Sequence, residues 1–221
     1  FRVCSRARNF LIAQINNLQK PKTNFQIYQE SVLLKLKPMV AFLREHSMET
    51  YIELTTNYAE VMDQVYYAHL KQYFTDTAKL IKKVPKGIDL LFAERQGLQR
   101  DAAASAANNS TFEFNDTVLS TSAREQQQAE VQDRAGILER IDTQPIVVAI
   151  SQNKKAQFFF EEVFRSQNKL IVDAVCKEFV FVLEFFDLRM VQVSTIFNQI
   201  FSRVVNKYLE WLAQYNSPSA S

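Results

Sequence analysis

The sequence predicts an all-α fold, and three observations predict it. Apolar residues recur at three- and four-residue steps through most of the chain, the period of one helix face. At 221 residues, with 47% apolar and 23% charged, the chain has the length and balance for a real core. Its 18 Phe and 8 Tyr bury large areas and imply substantial packing. The expectation is at least five helices, with no sheet beyond a short pair near Ile146 to Ile150.

Residues 1–19 read as the first helix. Phe1, Cys4, Ala7, Phe10 or Leu11, Ile15 and Leu18 form one stripe, with Arg2, Arg6 and Arg8 off it. Pro21 stops this helix, because proline lacks the N–H donor and clashes with the preceding turn. Thr23 and Asn24 are turn or N-cap residues for the next element. Phe25 and Ile27 are expected to pin this corner to the core.

A second helix spans about 29–45, with Val32, Leu33, Leu36, Val40 and Leu43 inward. Pro38 either kinks it or starts a fresh helix. Ser47 is placed to cap a third helix running to about 84, with Glu49 at the positive end of its dipole. Its stripe is Tyr51, Leu54, Tyr58, Val61 or Met62, Val65, Tyr73 and Leu80. Lys79, Lys82 and Lys83 suit its last turn, and Pro85 and Gly87 end it.

Between Arg100 and Lys155 the composition changes. The Ala-, Ser- and Gln-rich stretches at 101–110 and 120–129 lack the apolar surface that would offset ordering entropy. Helical text resumes at Phe158 and runs to about Phe186, then from about 190 to 215. Inward groups on the first stretch are Phe160, Val163, Phe164, Leu170, Ala174, Val182 and Phe186 among others. Inward groups on the second are Ile196, Ile200, Val204, Tyr208 and Trp211. The expected organisation is one helical domain over 1–221. It divides into a first helical half at 1–99, a flexible insertion at 100–155, a second half at 156–216 and a tail at 217–221. The chain opens at Phe1 within helical text, which reads as a piece of a longer protein.

The residue inventory argues against catalysis. Gly87, Gly97 and Gly136 cannot make a phosphate-cradling loop. His46 and His69 have no metal-ligand spacing, and there is no GxSxG. Glu161, Glu162, Glu178 and Glu184 read as solvated helix faces. Cys4 and Cys176 read as buried thiols of a cytosolic protein. No catalytic, cofactor or metal site is expected. The net charge of +2 gives no argument for nucleic acid, and no run approaches the ~20 apolar residues of a membrane span. Residues 1–50 carry eight cations against three carboxylates, a net +5 suited to acidic lipid or protein surfaces.

Two peptides stand out. The first is Lys20-Pro21-Lys22-Thr23-Asn24-Phe25-Gln26-Ile27, followed by Leu33-Leu34-Lys35. The second is Phe164-Arg165-Ser166-Gln167-Asn168-Lys169-Leu170, followed by Cys176 to Phe181 and Glu184-Phe185-Phe186. With Val65-Tyr66 and Lys71-Gln72-Tyr73 between them, they resemble the vacuolar-protein-sorting protein fifty-two family. The text at Thr111 to Ser120 departs from the family pattern by lacking its Gly and Arg.

The resemblance implies subunits of the Golgi-associated retrograde protein complex, a tether for vesicles returning from endosomes. It implies an elongated, rod-like antiparallel helical bundle as in other multisubunit tethers, and no enzymatic activity. The implied partners are the other tether subunits, a Golgi Rab GTPase in its GTP form and SNARE proteins. The implied location is cytosolic, peripheral on trans-Golgi and endosome membranes through those partners. Lys20, Pro21, Thr23, Asn24, Phe25, Gln26, Phe164, Arg165 and Ser166 are then family-motif residues, serving as structural corners or partner contacts. The competing reading is a helical adaptor or membrane-surface module unrelated to tethering.

Overall fold

A computed structural model describes residues 2–21, 23–82, 134, 136–137, 143–188 and 190–216. These residues are all-α, with a single backbone bridge between Ile81 and Phe158 and no strand. They fall into two compact units, Phe1–Lys79 with Gln167–Ser221, and Leu80–Ser166.

In the first unit α1 spans Arg2–Asn16 and tightens into a 3₁₀ turn at Asn17–Gln19. Leu11, Ile15 and Leu18 are buried, whereas Phe10 is 45% exposed, so Leu11 carries the stripe. After the corner, α2 (Phe25–Tyr28) runs into a π-helical turn at Gln29–Leu33 and a 3₁₀ turn at Leu34–Leu36. Then α3 spans Lys37–His46. The single helix expected over 29–45 is therefore corrected to three short segments, the π turn, the 3₁₀ turn and α3. Pro38 lies in the first turn of a fresh helix, where its missing N–H is one that would have no helical acceptor anyway. Leu36 before it leaves helical geometry at φ −91° and ψ 0°.

The centre of this unit is α4, Met48–Ala78. It packs most extensively on α7 (Met190–Asn216), then on α1 and α3. A helix with neighbours on several sides must be apolar over most of its circumference. Accordingly Leu54, Thr55, Tyr58, Ala59, Met62, Tyr66, Leu70 and Phe74 are all buried. Beyond Val65 the stripe runs through Tyr66, Leu70 and Phe74 rather than Tyr73, which is half-buried. Ser47 does not cap α4 as expected: its hydroxyl pairs with that of Thr50 at 2.7 Å. The helix stops at Ala78, short of the expected 84, so Lys82 lies outside it and Lys79 only flanks its end.

The long helix α6 spans Phe160–Phe186. Within the first unit it contributes Ala174, Phe181, Val182, Phe185 and Phe186 to the core. Tyr58 of α4 sits between two of these rings, stacked on Phe181 at 5.6 Å and edge-on to Phe186 at 5.1 Å. Asp187 ends α6 in the left-handed region at φ 50°, with its N–H on the Leu183 carbonyl at 3.1 Å. Two groups from other helices hold that end. The Arg44 guanidinium donates to the Asp187 carboxylate at 2.6 Å, and the Tyr51 hydroxyl donates to the Phe186 carbonyl at 2.8 Å. Arg44 holds the Asp187 carboxyl below the usual carboxylate range. Arg8 pairs with Glu53, and Arg203 pairs with Asp63 at 2.9 Å.

In the second unit Phe158 is clasped by main chain. Its N–H donates to the Leu80 carbonyl at 2.9 Å, and its carbonyl accepts from Lys82 N–H at 2.8 Å. The Ile146 to Ile150 island is not a strand pair: α5 forms at Val148–Asn153. Its end is a Schellman motif, with Ala156 N–H on Ser151 O, Lys155 N–H on Gln152 O, and Lys155 at φ 51°. Glu162 closes the start of α6 by accepting from Phe159 N–H at 3.0 Å, the reciprocal half of a capping box. Residues 100–133, Pro85, Gly87 and the 217–221 tail lie outside the described residues. The thiols are corrected too: Cys4 is half-buried and Cys176 is exposed.

Tyr51→Phe is expected to cost about 1 kcal/mol, because the Phe186 carbonyl loses its donor in a place closed to water. A chemical-denaturation series on both proteins measures this, with the slope unchanged and the midpoint lowered.

Candidate functional site

The Lys20–Ile27 peptide builds a corner from elementary parts. Pro21 forces the residue before it out of helical geometry, and Lys20 sits at φ −64° and ψ 136°. The chain then turns, with Thr23 N–H on the Lys20 carbonyl at 3.1 Å. Asn24 adopts φ −75° and ψ 98°, and its Oδ1 accepts from Ile27 N–H at 3.2 Å. That is the expected N-cap, satisfying one donor that the helix start leaves unpaired. Phe25 packs edge-on to Tyr66 at 5.4 Å and tilts against His69 at 5.5 Å. Ile27 pins nothing: it is 60% exposed.

These residues form the rim of a groove of about 860 Å³. Lys20, Pro21, Thr23, Asn24, Phe25 and Gln26 line one side. Val65, Tyr66 and Leu70 of α4, with Leu170 and Ala174 of α6, give it an apolar floor. Lys20 is the charged group at the wall and His69 lies beside it, with no carboxylate among the lining residues.

Tyr66 connects this groove to a buried polar cluster. Its hydroxyl donates to Glu178 Oε2 at 2.9 Å. Tyr58 donates to Glu178 Oε1 at 2.5 Å. The Gln29 side-chain amide donates to Glu178 Oε2 at 3.1 Å and to the Tyr58 hydroxyl at 2.7 Å. Glu178 is 1% exposed, which corrects the expectation of a solvated carboxylate. Burial pushes its carboxyl above the usual range, and the hydrogen bonds from Tyr58, Gln29 and Tyr66 pull it only part of the way back. Burial, then the nearby Glu178 charge, pushes the Tyr58 and Tyr66 hydroxyls well up. The π-helical turn brings Gln29 inward together with Leu33. No group of three or more metal-ligating side chains occurs among the described residues, and the cluster holds no histidine or thiol. Its chemistry is that of a satisfied structural network.

Phe164, Arg165 and Ser166 fall in the other unit. Arg165 donates to the Ile137 carbonyl at 2.7 Å, and Ser166 Oγ accepts from Ile146 N–H at 2.7 Å. Both side chains therefore hold main chain of their own unit. Phe164 is 39% exposed and stacks on Phe160 at 6.1 Å, so its inward assignment is also corrected. Neighbouring Gln167, fully buried in the first unit, donates to the Thr77 hydroxyl at 2.8 Å.

Of the cluster, sequence reasoning found only Tyr58, as a stripe residue. A signal for Glu178 was present. Ala174, Val182, Ile171 and Phe185 stand four and seven residues from it, so it occupies a core position on the helix. Gln29 had no such signal, since its burial depends on the π turn.

The family model described as "Vps52, C-terminal" matches residues 60–219. The chain is 30% identical over 200 residues to vacuolar protein sorting-associated protein 52 A of Arabidopsis thaliana, covering 90% of this chain and 25% of that protein. It is 24% identical over 212 residues to the vacuolar protein sorting-associated protein 52 homolog of Homo sapiens, covering 96% and 27%. It is 24% identical over 233 residues to vacuolar protein sorting-associated protein 52 of Saccharomyces cerevisiae, covering 97% and 36%. The chain thus spans about a quarter to a third of the length of these relatives. No solved structure matches it.

Two outcomes are expected at this site. Asn24→Ala lowers stability by about 1 kcal/mol, the usual loss of an N-cap, and a thermal melt reports it. Glu178→Gln removes a pH dependence. A carboxyl whose folded pKa is raised adds stability below its unfolded value of 4.5, and that contribution is lost as pH rises towards the folded value. The stability difference, native minus Glu178→Gln, should therefore fall as pH rises above 4.5 in urea titrations. A flat difference would show that the carboxyl titrates alike in both states.

Proposed function

The chain belongs to the Vps52 family, and from that premise we propose that it works by binding, as a non-catalytic segment of a Golgi-associated retrograde protein complex subunit. In this reading the parent protein tethers vesicles returning from endosomes to the trans-Golgi network. The observation that carries it is the family match over residues 60–219, supported by relatives from plants, animals and yeast whose names state a sorting role. A groove rimmed by the Lys20–Gln26 motif supports a binding role for that peptide.

The partner proposed for this groove is a Golgi Rab GTPase in its GTP form. Rab switch segments are ordered only in that state, and effectors meet them with apolar helical surfaces. The groove's floor of Val65, Tyr66, Leu70, Leu170 and Ala174 is such a surface. SNARE proteins and the other tether subunits are the further partners of the parent. No helix among the described residues is long and apolar enough to cross a membrane, so the proposed contact with trans-Golgi and endosomal membranes runs through partners. The membrane-surface alternative rests on the basic first 50 residues. Two of those eight cations, Arg8 and Arg44, are engaged with Glu53 and Asp187.

The test is titration of the 221-residue chain with the Golgi Rab in both nucleotide states. At least tenfold tighter binding of the GTP form is expected, weakened by Lys20→Glu. Equal or absent binding removes the Rab contact from this segment. Separately, a full-length parent that fails to co-purify with other tether subunits overturns the subunit assignment. Liposome flotation without any partner would favour the membrane-surface reading.

A further inference from the structure

The polar side chains lining the Lys20–Gln26 groove divide into committed and uncommitted groups. Gln19 donates to Gln64 Oε1 at 2.8 Å, Asn24 caps α2, and the Tyr66 hydroxyl donates to Glu178. The others are Lys20, Thr23, Gln26 and His69. None of these four side chains has a hydrogen bond or an ion pair among the described residues. Lys20 and His69 are exposed, whereas Thr23 and Gln26 are half-buried. A half-buried hydroxyl or amide with no protein partner gains from the polar group of a ligand.

Rim and floor together define what that ligand carries. The Lys20 ammonium donates and never accepts, and no lining residue is a carboxylate. A negative group opposite Lys20 therefore meets attraction and no repulsion. The Gln26 amide and the Thr23 hydroxyl each both donate and accept, which is what the N–H and C=O of a peptide main chain require. Beneath them, Val65, Tyr66, Leu70, Leu170 and Ala174 form a floor for apolar side chains. An anionic membrane or a nucleic-acid backbone calls for several cations together, and Lys20 stands alone in this lining. The complement is a peptide that sets a carboxylate among apolar residues.

On the reading that this groove is where the GTPase docks, we propose that it selects an apolar segment of that partner carrying an Asp or Glu. Lys20 takes the carboxylate, Thr23 and Gln26 take main-chain groups, and the floor takes the flanking apolar side chains. Pro21 and the Asn24 cap fix the backbone that presents these groups, so little ordering is left to the moment of binding. Lys20 lies at the exposed rim, where a charge acts on the rate of encounter and on the choice of partner more than on affinity.

Binding kinetics of the 221-residue chain with the GTP-loaded Golgi Rab, at low and high salt, test it. Lys20→Ala should weaken binding about fivefold, mainly through the association rate, and should remove most of its salt dependence. Lys37→Ala deletes the same charge outside the groove and should change nothing. Gln26→Ala should weaken binding about fivefold, mainly through the dissociation rate. Circular dichroism should show all three variants equally helical. On the partner, replacing one switch-segment Asp or Glu by its amide should reproduce the Lys20→Ala loss and add nothing to it. Nucleotide-dependent binding that ignores Lys20→Ala and Gln26→Ala overturns the carboxylate contact and leaves the docking reading standing. So does a Lys20→Ala loss that adds to that of every such amide change. Equal or absent binding in the two nucleotide states overturns the docking reading, and this contact with it. Phosphatidylserine vesicles that displace the GTPase from the native chain but not from Lys20→Ala would assign the groove to lipid and overturn the contact as well.

Discussion

One carboxylate organises the core of the first unit. Glu178 is on α6, its partners Tyr58 and Tyr66 are on α4, and Gln29 is in the π turn that precedes α3. Leaving such a group unpaired away from water would cost several kcal/mol, more than a marginally stable domain can lose lightly. Three separately placed donors must therefore reach it together. Sliding α6 by one residue against α4 would swing Glu178 away by about 100°, the rotation per residue of a helix. Apolar contacts tolerate such slippage far better than directed hydrogen bonds do. The network therefore fixes the register of elements 29 to 149 residues apart in sequence.

The same constraint accounts for the π-helical turn. A regular helix from Phe25 onward would carry Gln29 and Leu33 around a different angle. Widening the turn lets Gln29 reach Tyr58 and Glu178 while Leu33 stays in the core. Aromatic rings complete the packing around this centre, with Tyr58 against Phe181 and Phe186, and Tyr66 between Phe25 and Phe201. Tyr66 thus belongs to two places at once. Its ring forms part of the groove floor, and its hydroxyl is committed to Glu178. Whatever occupies the groove meets a floor whose position is set from beneath.

The two family peptides separate in role for reasons visible in their chemistry. In the Lys20–Ile27 peptide, Asn24 is spent on the backbone, and Lys20, Pro21, Thr23, Phe25 and Gln26 line a groove. In the Phe164–Ser166 peptide, Arg165 and Ser166 are both spent on main chain, at Ile137 and Ile146. The first peptide lines an open groove, and the second holds its own unit together. Cys176 shows the converse case. A thiol read as buried stands on an exposed apolar ridge, because α6 is apolar on more sides than its own core requires.

By itself the sequence determined the helical class, the positions of the long helices and the corner at Pro21 and Asn24. Those features follow from local physics: periodic burial, a missing donor and a side chain that reaches its own backbone. The same periodicity misread Ile146 to Ile150, where a short apolar run carries no helix or strand signature of its own, and Phe164, which the stripe placed inward. Only the tertiary structure decided that Glu178 is inside, that Gln29 turns inward through a π turn, and that the outer face of α6 is left uncovered. Each of these depends on which helix lies opposite. A periodicity reports that a face is apolar, but the neighbour that meets the face decides whether a polar group within it finds its partners.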